Sequence, residues 1–158
     1  MPYDTVMPLP PHGRLLGIDF GTVRVGVAYC DPDRIVASPL TTIQRSTPDA
    51  ELAAYRKIVA VEKVVGIVVG LPISLNGTEG PKAKETRAYG EWLHDNLGLP
   101  LDYWDERFSS AIADDAMQLG KLNPKKRKEQ RDRLAAQVML QGYLEGQRQN
   151  SLTNRSSN

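Results

Sequence analysis

Apolar positions along the chain come as short runs first and as helical stripes later. Leu15–Phe20 and Val25–Tyr29 are apolar runs on either side of Gly21-Thr22-Val23-Arg24, which predicts a strand, a tight turn and an antiparallel partner strand. Asp31-Pro32-Asp33-Arg34 predicts a turn, and Ile35–Ile43 a third strand whose Pro39 suits a sheet edge. Thr47-Pro48 opens a helix with proline in its first position, and Leu52, Tyr55 and Val59 recur at helical spacing to about Val61. Val64–Val69 is apolar without alternation, as expected of a strand buried on both faces of a parallel sheet.

Gly70-Leu71-Pro72 ends that strand, and a loop runs through the turn pair Asn76-Gly77 to Gly80. Pro81 starts a second helix with an inward stripe of Tyr89, Trp92, Leu93 and Leu97, and Gly98 and Pro100 stop it. Leu101–Glu106 predicts a fifth strand. A helix capped by Ser109 or Ser110 is expected to reach about Leu119, then a basic loop from Gly120 to Lys128, then a last helix from about Glu129 to Gly146. Residues 1–13 read as a flexible leader and 147–158 as a flexible, frayed tail, leaving one domain over 14–146. A meander followed by strand–helix crossovers implies an α/β fold, a mixed five-stranded sheet with helices on both faces.

Composition narrows the setting more than the function. A chain of 158 residues, 41% of them apolar, suits one domain with a real core. A net charge of +1 identifies no partner, so any nucleic-acid signal must lie in local clusters. Cys30 is alone, which excludes an internal disulfide and fits a reducing cytoplasm. The opening residues lack the apolar run of a signal peptide, and no segment is long enough to span a membrane.

Three acids stand out against this pattern. Asp19 lies inside the first apolar run and by alternation shares a face with Leu15 and Gly17. A carboxylate there is costly to desolvate and requires a cation, donors or a metal, although an Asp before a Gly also suits a turn that bonds its own backbone. Glu106 closes the fifth strand, at the carboxyl end where open sheets bind ligands; pairing with Arg107 at the surface is the simpler alternative. Asp132 falls on one stripe with Ala136, Met139 and Tyr143, so it extends the buried face of the last helix. A first-turn Asp favoured by the helix dipole would explain its position but not its facing. Three carboxylates converging on one point require cations between them, and hard ions such as Mg²⁺ or Mn²⁺ prefer such oxygens. Two such ions can activate water and steady the leaving oxygen of a phosphodiester. No His/Cys spacing suits zinc, since His12, His94 and Cys30 are scattered.

The basic residues cluster. Lys121, Lys125, Lys126, Arg127, Lys128, Arg131 and Arg133 surround Asp132, while Lys82, Lys84 and Arg87 occupy the first turns of the second helix. Charge runs are commonly solvated faces, but a basic loop leading into a buried-face acid suits a polyanionic substrate.

These residues resemble a known family. Asp19-x-Gly21-x-x-Arg24-x-Gly26-Val27-Ala28 resembles the first motif of the YqgF (RuvX) nucleases of the ribonuclease H-like superfamily. Gly70-Leu71-Pro72 with Asn76-Gly77 resembles the second, and Asp105-Glu106-Arg107 with Ser109-Ser110 the third. Asp132-x-x-Ala135-Ala136 with Leu140-Gln141-x-Tyr143-Leu144 resembles the fourth. The resemblance runs from about Arg14 to Glu145, and four ordered motifs together are specific where each alone is weak. It implies Asp19, Glu106 and Asp132 as catalytic, metal-holding acids; Arg24, Lys82, Lys84, Arg87, Arg107, Lys121, Lys125, Lys126, Arg127 and Lys128 are the candidate nucleic-acid contacts. It also implies 5′-end maturation of pre-16S ribosomal RNA, with Holliday-junction cleavage as the alternative, by a monomer or homodimer. Ile112 departs from the family, standing where many members carry a Glu. Gly17–Thr22 also resembles the phosphate loop of actin-like phosphotransferases, but those enzymes need two such domains. A silent nucleic-acid binding module on the same fold is the remaining rival.

Overall fold

The computed structural model describes residues 8–108 and 123–156, without side-chain detail at 108, 127–130 and 153–156. Five strands form one sheet in the order β3-β2-β1-β4-β5. These are β1 (Arg14–Asp19), β2 (Arg24–Cys30), β3 (Ala37–Gln44), β4 (Val64–Leu71) and β5 (Leu101–Asp105). β1 to β3 pair antiparallel as a meander, and β4 and β5 join β1 in parallel, which makes the sheet mixed as expected. Helices α1 (Pro48–Glu62) and α2 (Pro81–Leu97) cover one face, and α3 (Pro124–Ser156) covers the other.

Local chemistry explains the element ends. The Thr47 hydroxyl accepts from the Ala50 N–H and Pro48 follows it, so α1 starts there. Gly98 takes the left-handed conformation and donates to the His94 carbonyl, which ends α2. β3 begins at Ala37 rather than Ile35, because the Ile35 and Val36 N–H groups donate to Asp31 Oδ1 at 2.8 and 2.7 Å.

Alternation along β1 divides the core in two. Leu16 and Ile18 pack with Tyr55, Tyr89 and Leu93 under α1 and α2. Leu15 packs with Ala136, Met139, Leu140 and Leu144 under α3. α3 lies unusually close to the sheet: a Cβ on Gly26 of β2 would stand 2.1 Å from the Asp132 carbonyl oxygen.

α3 is longer than the hydrophobic pattern predicts at both ends. It begins at Pro124, so Lys125–Lys128 are its first turns rather than loop, and the Asn123 side chain accepts from the Lys126 N–H as its cap. At the far end it continues through Ser156, where composition suggested fraying. The last residues of the leader are also docked. Gly13 donates to the Pro32 carbonyl and accepts from Arg34 Nε, and Leu9 packs against the α3-side core. The helix expected up to Leu119, with Ile112 in it, and the loop from Gly120 to Leu122 lie outside the described residues. Among the described residues no helix is long and apolar enough to cross a membrane.

Candidate active site

The three acids arrive from elements far apart in sequence. Asp19 is the last residue of β1 and faces α3, as its alternation with Leu15 and Gly17 predicts. Glu106 is the first residue of a single 3-10 turn just past β5. β4 separates β1 from β5, so a link between Asp19 and Glu106 has to cross it. Gly70 of β4 leaves the necessary space: a Cβ there would stand 2.6 Å from Glu106 Oε1 and 3.0 Å from Met139 Cγ. The two carboxyl groups hydrogen-bond to each other. Asp132 approaches from α3 and is ion-paired with Arg24 of β2, Nε to Oδ2 at 3.0 Å.

Electrostatics follow from this crowding. Burial pushes the Asp19 carboxyl well above the usual carboxylate range, and the Glu106 hydrogen bond and the charges of Glu106 and Asp132 push the same way. Lys82, on the first turn of α2, opposes them. Two carboxylates this close share a proton when no cation separates them. Among the described residues no group of three or more His, Cys, Asp or Glu side chains is arranged to hold a metal ion; Asp132 is ion-paired with Arg24, while Asp19 and Glu106 face each other. The donor set is nevertheless all carboxylate oxygen, the kind that hard divalent cations take. The Arg24 guanidinium and Lys82 supply positive charge beside these acids.

The basic residues divide into two groups. Lys82 and Lys84 on α2, and Lys125, Lys126, Arg131 and Arg133 on α3, are exposed. Three arginines read from sequence as phosphate contacts have protein partners in the fold. Arg24 holds Asp132. Arg87 forms a forked pair with Glu79 and lies over the Tyr103 ring. Arg107 forks onto Asp105 and reaches the Ser74 carbonyl, so Arg87 and Arg107 brace the turn between β4 and α2. Because Asp105 takes Arg107, Glu106 is left to face Asp19, and the surface pairing of Glu106 with Arg107 is not what forms. Lys121 lies outside the described residues, as do the side chains of Arg127 and Lys128. Sequence reading missed the pairing of Arg24 with Asp132 and the space at Gly70. Both residues belong to the motifs, but nothing local to them signals a partner 108 residues away for Arg24 or 36 residues away for Gly70.

Comparison with known proteins agrees with this geometry. Residues 13–146 match the family described as "RuvX: Holliday junction resolvase". A Rhodopirellula baltica protein named "Putative pre-16S rRNA nuclease" is 44% identical over 136 residues, covering 86% of this chain and 79% of that one. A Rhodobacter capsulatus protein of the same name is 42% identical, covering 90% of this chain and 89% of its own. Among solved structures, Thermus thermophilus RuvC in complex with a Holliday junction superposes with a TM-score of 0.51 at 13% identity, over 86% of this chain and 96% of that one. That likeness concerns the fold, which is the α/β ribonuclease H-like one. With four motifs, a shared fold and a family match across most of its length, the chain belongs to the RuvX family.

Proposed function

We propose that this chain is a divalent-metal-dependent endonuclease that hydrolyses nucleic-acid phosphodiesters, acting in 5′-end maturation of pre-16S ribosomal RNA. One observation carries the reading: Asp19 and Glu106 face each other past the carboxyl ends of β1 and β5, and the charges of Glu106 and of Asp132 both act on the Asp19 carboxyl. A nuclease is also what the relatives' names describe. Asp19, Glu106 and Asp132 are the catalytic acids and would hold Mg²⁺ or Mn²⁺, two ions in the usual scheme. When bound, the metal activates water and stabilises the leaving oxygen.

The chain's own groups do the rest. The Asp19–Glu106 pair gives up its shared proton and presents two anionic oxygens. Arg24 orients Asp132 from behind. Lys82 places a positive charge beside the acids, where a scissile phosphate would otherwise be repelled. Lys84, Lys125 and Lys126 draw in the flanking phosphates without reading sequence. A single buried thiol, Cys30, fits a cytoplasmic setting.

The family's description supports a second reading, cleavage of branched DNA. A cleavage assay with Mg²⁺ or Mn²⁺ separates the two. It compares a pre-16S ribosomal RNA fragment, a single-stranded oligonucleotide and a four-way DNA junction. Preferential cutting of the RNA precursor supports the first reading, and preferential cutting of the junction the second. No cutting of any substrate would leave a binding module.

A further inference from the structure

On the far side of β1 from the acids lies an aromatic cavity of about 570 Å³, a size typical of small-ligand pockets. Phe20, Tyr89 and Trp92 form a row of tilted rings, with centroids 4.8 and 5.4 Å apart. The Arg45 guanidinium sits 5.2 Å from the Phe20 ring centre and 5.0 Å from that of Tyr89. A buried carboxylate fixes this arrangement. Glu51 accepts from Arg45 Nε at 2.9 Å, from the Ser46 N–H at 3.3 Å and from the Tyr89 hydroxyl at 3.2 Å. Tyr89 and Tyr55 also share a hydroxyl–hydroxyl bond of 2.8 Å. The rings are therefore held rigid before anything binds, while Phe20 and Trp92 remain partly open to solvent.

The cavity lies at the same end of β1 as Asp19, on the opposite face of the sheet. Phe20 follows Asp19 directly, and Arg45 Nη1 donates to the Gly21 carbonyl one residue on. Lys82, whose charge acts on Asp19, shares α2 with Glu85, Ala88 and Trp92 of the cavity wall. From Lys82 to Ala88 is about 9 Å along the helix axis, within reach of a nucleotide adjoining a phosphate at the acids. The lining presents flat ring faces, one guanidinium plane, the hydroxyls of Thr22 and Ser46, the carboxylate of Glu51 already bonded to Arg45 and Tyr89, and that of Glu85. That is the chemistry that takes an unpaired nucleobase: stacking on rings and guanidinium, with an acceptor for an exocyclic amine.

We propose that this cavity is a stacking subsite for one unpaired base next to the scissile phosphate, so that the substrate must offer a single-stranded or extruded nucleotide there. It rests on the nuclease reading of the acids.

The chain has two tryptophans, Trp92 and Trp104, so Trp104→Phe leaves Trp92 as the only one. That variant is titrated in EDTA with a short unstructured RNA, and with the same RNA carrying a single abasic site moved position by position. The expected result is quenching of Trp92 by the intact RNA. Quenching is lost for one abasic position only, with binding at that position weakened about 5- to 150-fold, the range of one stacked base. With metal, the same abasic position slows cleavage by a comparable factor. Binding and cleavage that proceed with Trp92 unquenched and every abasic position tolerated would overturn the subsite and leave the nuclease reading standing. No binding of any oligonucleotide would overturn both.

Discussion

The carboxyl group of Asp19 hydrogen-bonds to that of Glu106 over Gly70 of the intervening strand, where a Cβ would stand 2.6 Å from Glu106 Oε1. The pair carries a sign that can be measured. The Asp19 carboxyl titrates above its unfolded value, so ionising it costs folding energy. The penalty is absent below the ordinary carboxylate range, grows as pH rises through the folded value, and is complete above it. Asp19→Asn should therefore raise the Tm of the metal-free protein above that value, with the gain shrinking as pH falls. Melting curves in EDTA across a pH series check this. A destabilised Asp19→Asn variant, or a gain that grows toward acid, would mean that the pair is not strained by charge. Cleavage should be abolished at every pH.

Arg24 acts through Asp132. Their 3.0 Å pair has side-chain exposures of 11% and 25%, so solvent screens it only partly. Arg24→Gln should lower cleavage about 10- to 100-fold, the usual cost of losing a group that orients a metal ligand, while leaving nucleic-acid affinity in EDTA within about twofold. A loss confined to binding would instead make Arg24 a phosphate contact.

Gly26→Ala tests how closely α3 must approach. The new Cβ would meet the Asp132 carbonyl oxygen at 2.1 Å, backbone against backbone, and neither side yields easily. Overpacking of this kind costs about 1–3 kcal/mol. Because the shift falls on the helix turn carrying Asp132, cleavage at a temperature where the variant is fully folded should drop by more than tenfold. Activity equal to wild type under those conditions would show that the position of Asp132 is not critical.

The exposed lysines should contribute through phosphates alone. Replacing Lys84, Lys125 and Lys126 together by Gln should weaken binding of all sequences alike. It should also flatten the slope of log affinity against log salt, by up to about 0.7–0.9 per lost contact. Their side chains are exposed on first turns of α2 and α3, so Tm should change little. An unaltered salt slope would reduce them to solvated surface.

The fold and the facing of Asp19 and Asp132 were largely legible in the sequence because each announces itself locally. The unbroken run Val64–Val69 identified a central parallel strand, and the stripe of Ala136, Met139 and Tyr143 put Asp132 on the buried face of its helix. Asn123-Pro124 carries the same cap-plus-proline signal as Thr47-Pro48, but the lysines and arginine after it carry no apolar stripe to mark a helix. Those turns are helical because they continue a helix that packs further on, which the first residues do not reveal. Partner choice was the least legible feature. Asp105, Glu106 and Arg107 are consecutive, and only the path of β5 decides that Asp105 takes the arginine while Glu106 faces Asp19. Likewise, Arg24 reads as a free cation until α3 brings Asp132 against it.

Calorimetric titration of Mn²⁺ into the metal-free protein tests the central claim most directly, when run in buffers of different protonation enthalpy at mildly acidic and at alkaline pH. If Asp19 and Glu106 share a proton that the cation replaces, wild type binds Mn²⁺ with net proton release that is larger at mildly acidic pH. In that case Asp19→Asn loses both the binding and the release. Equal Mn²⁺ affinity in wild type and Asp19→Asn, or binding with no protons released at either pH, would contradict it.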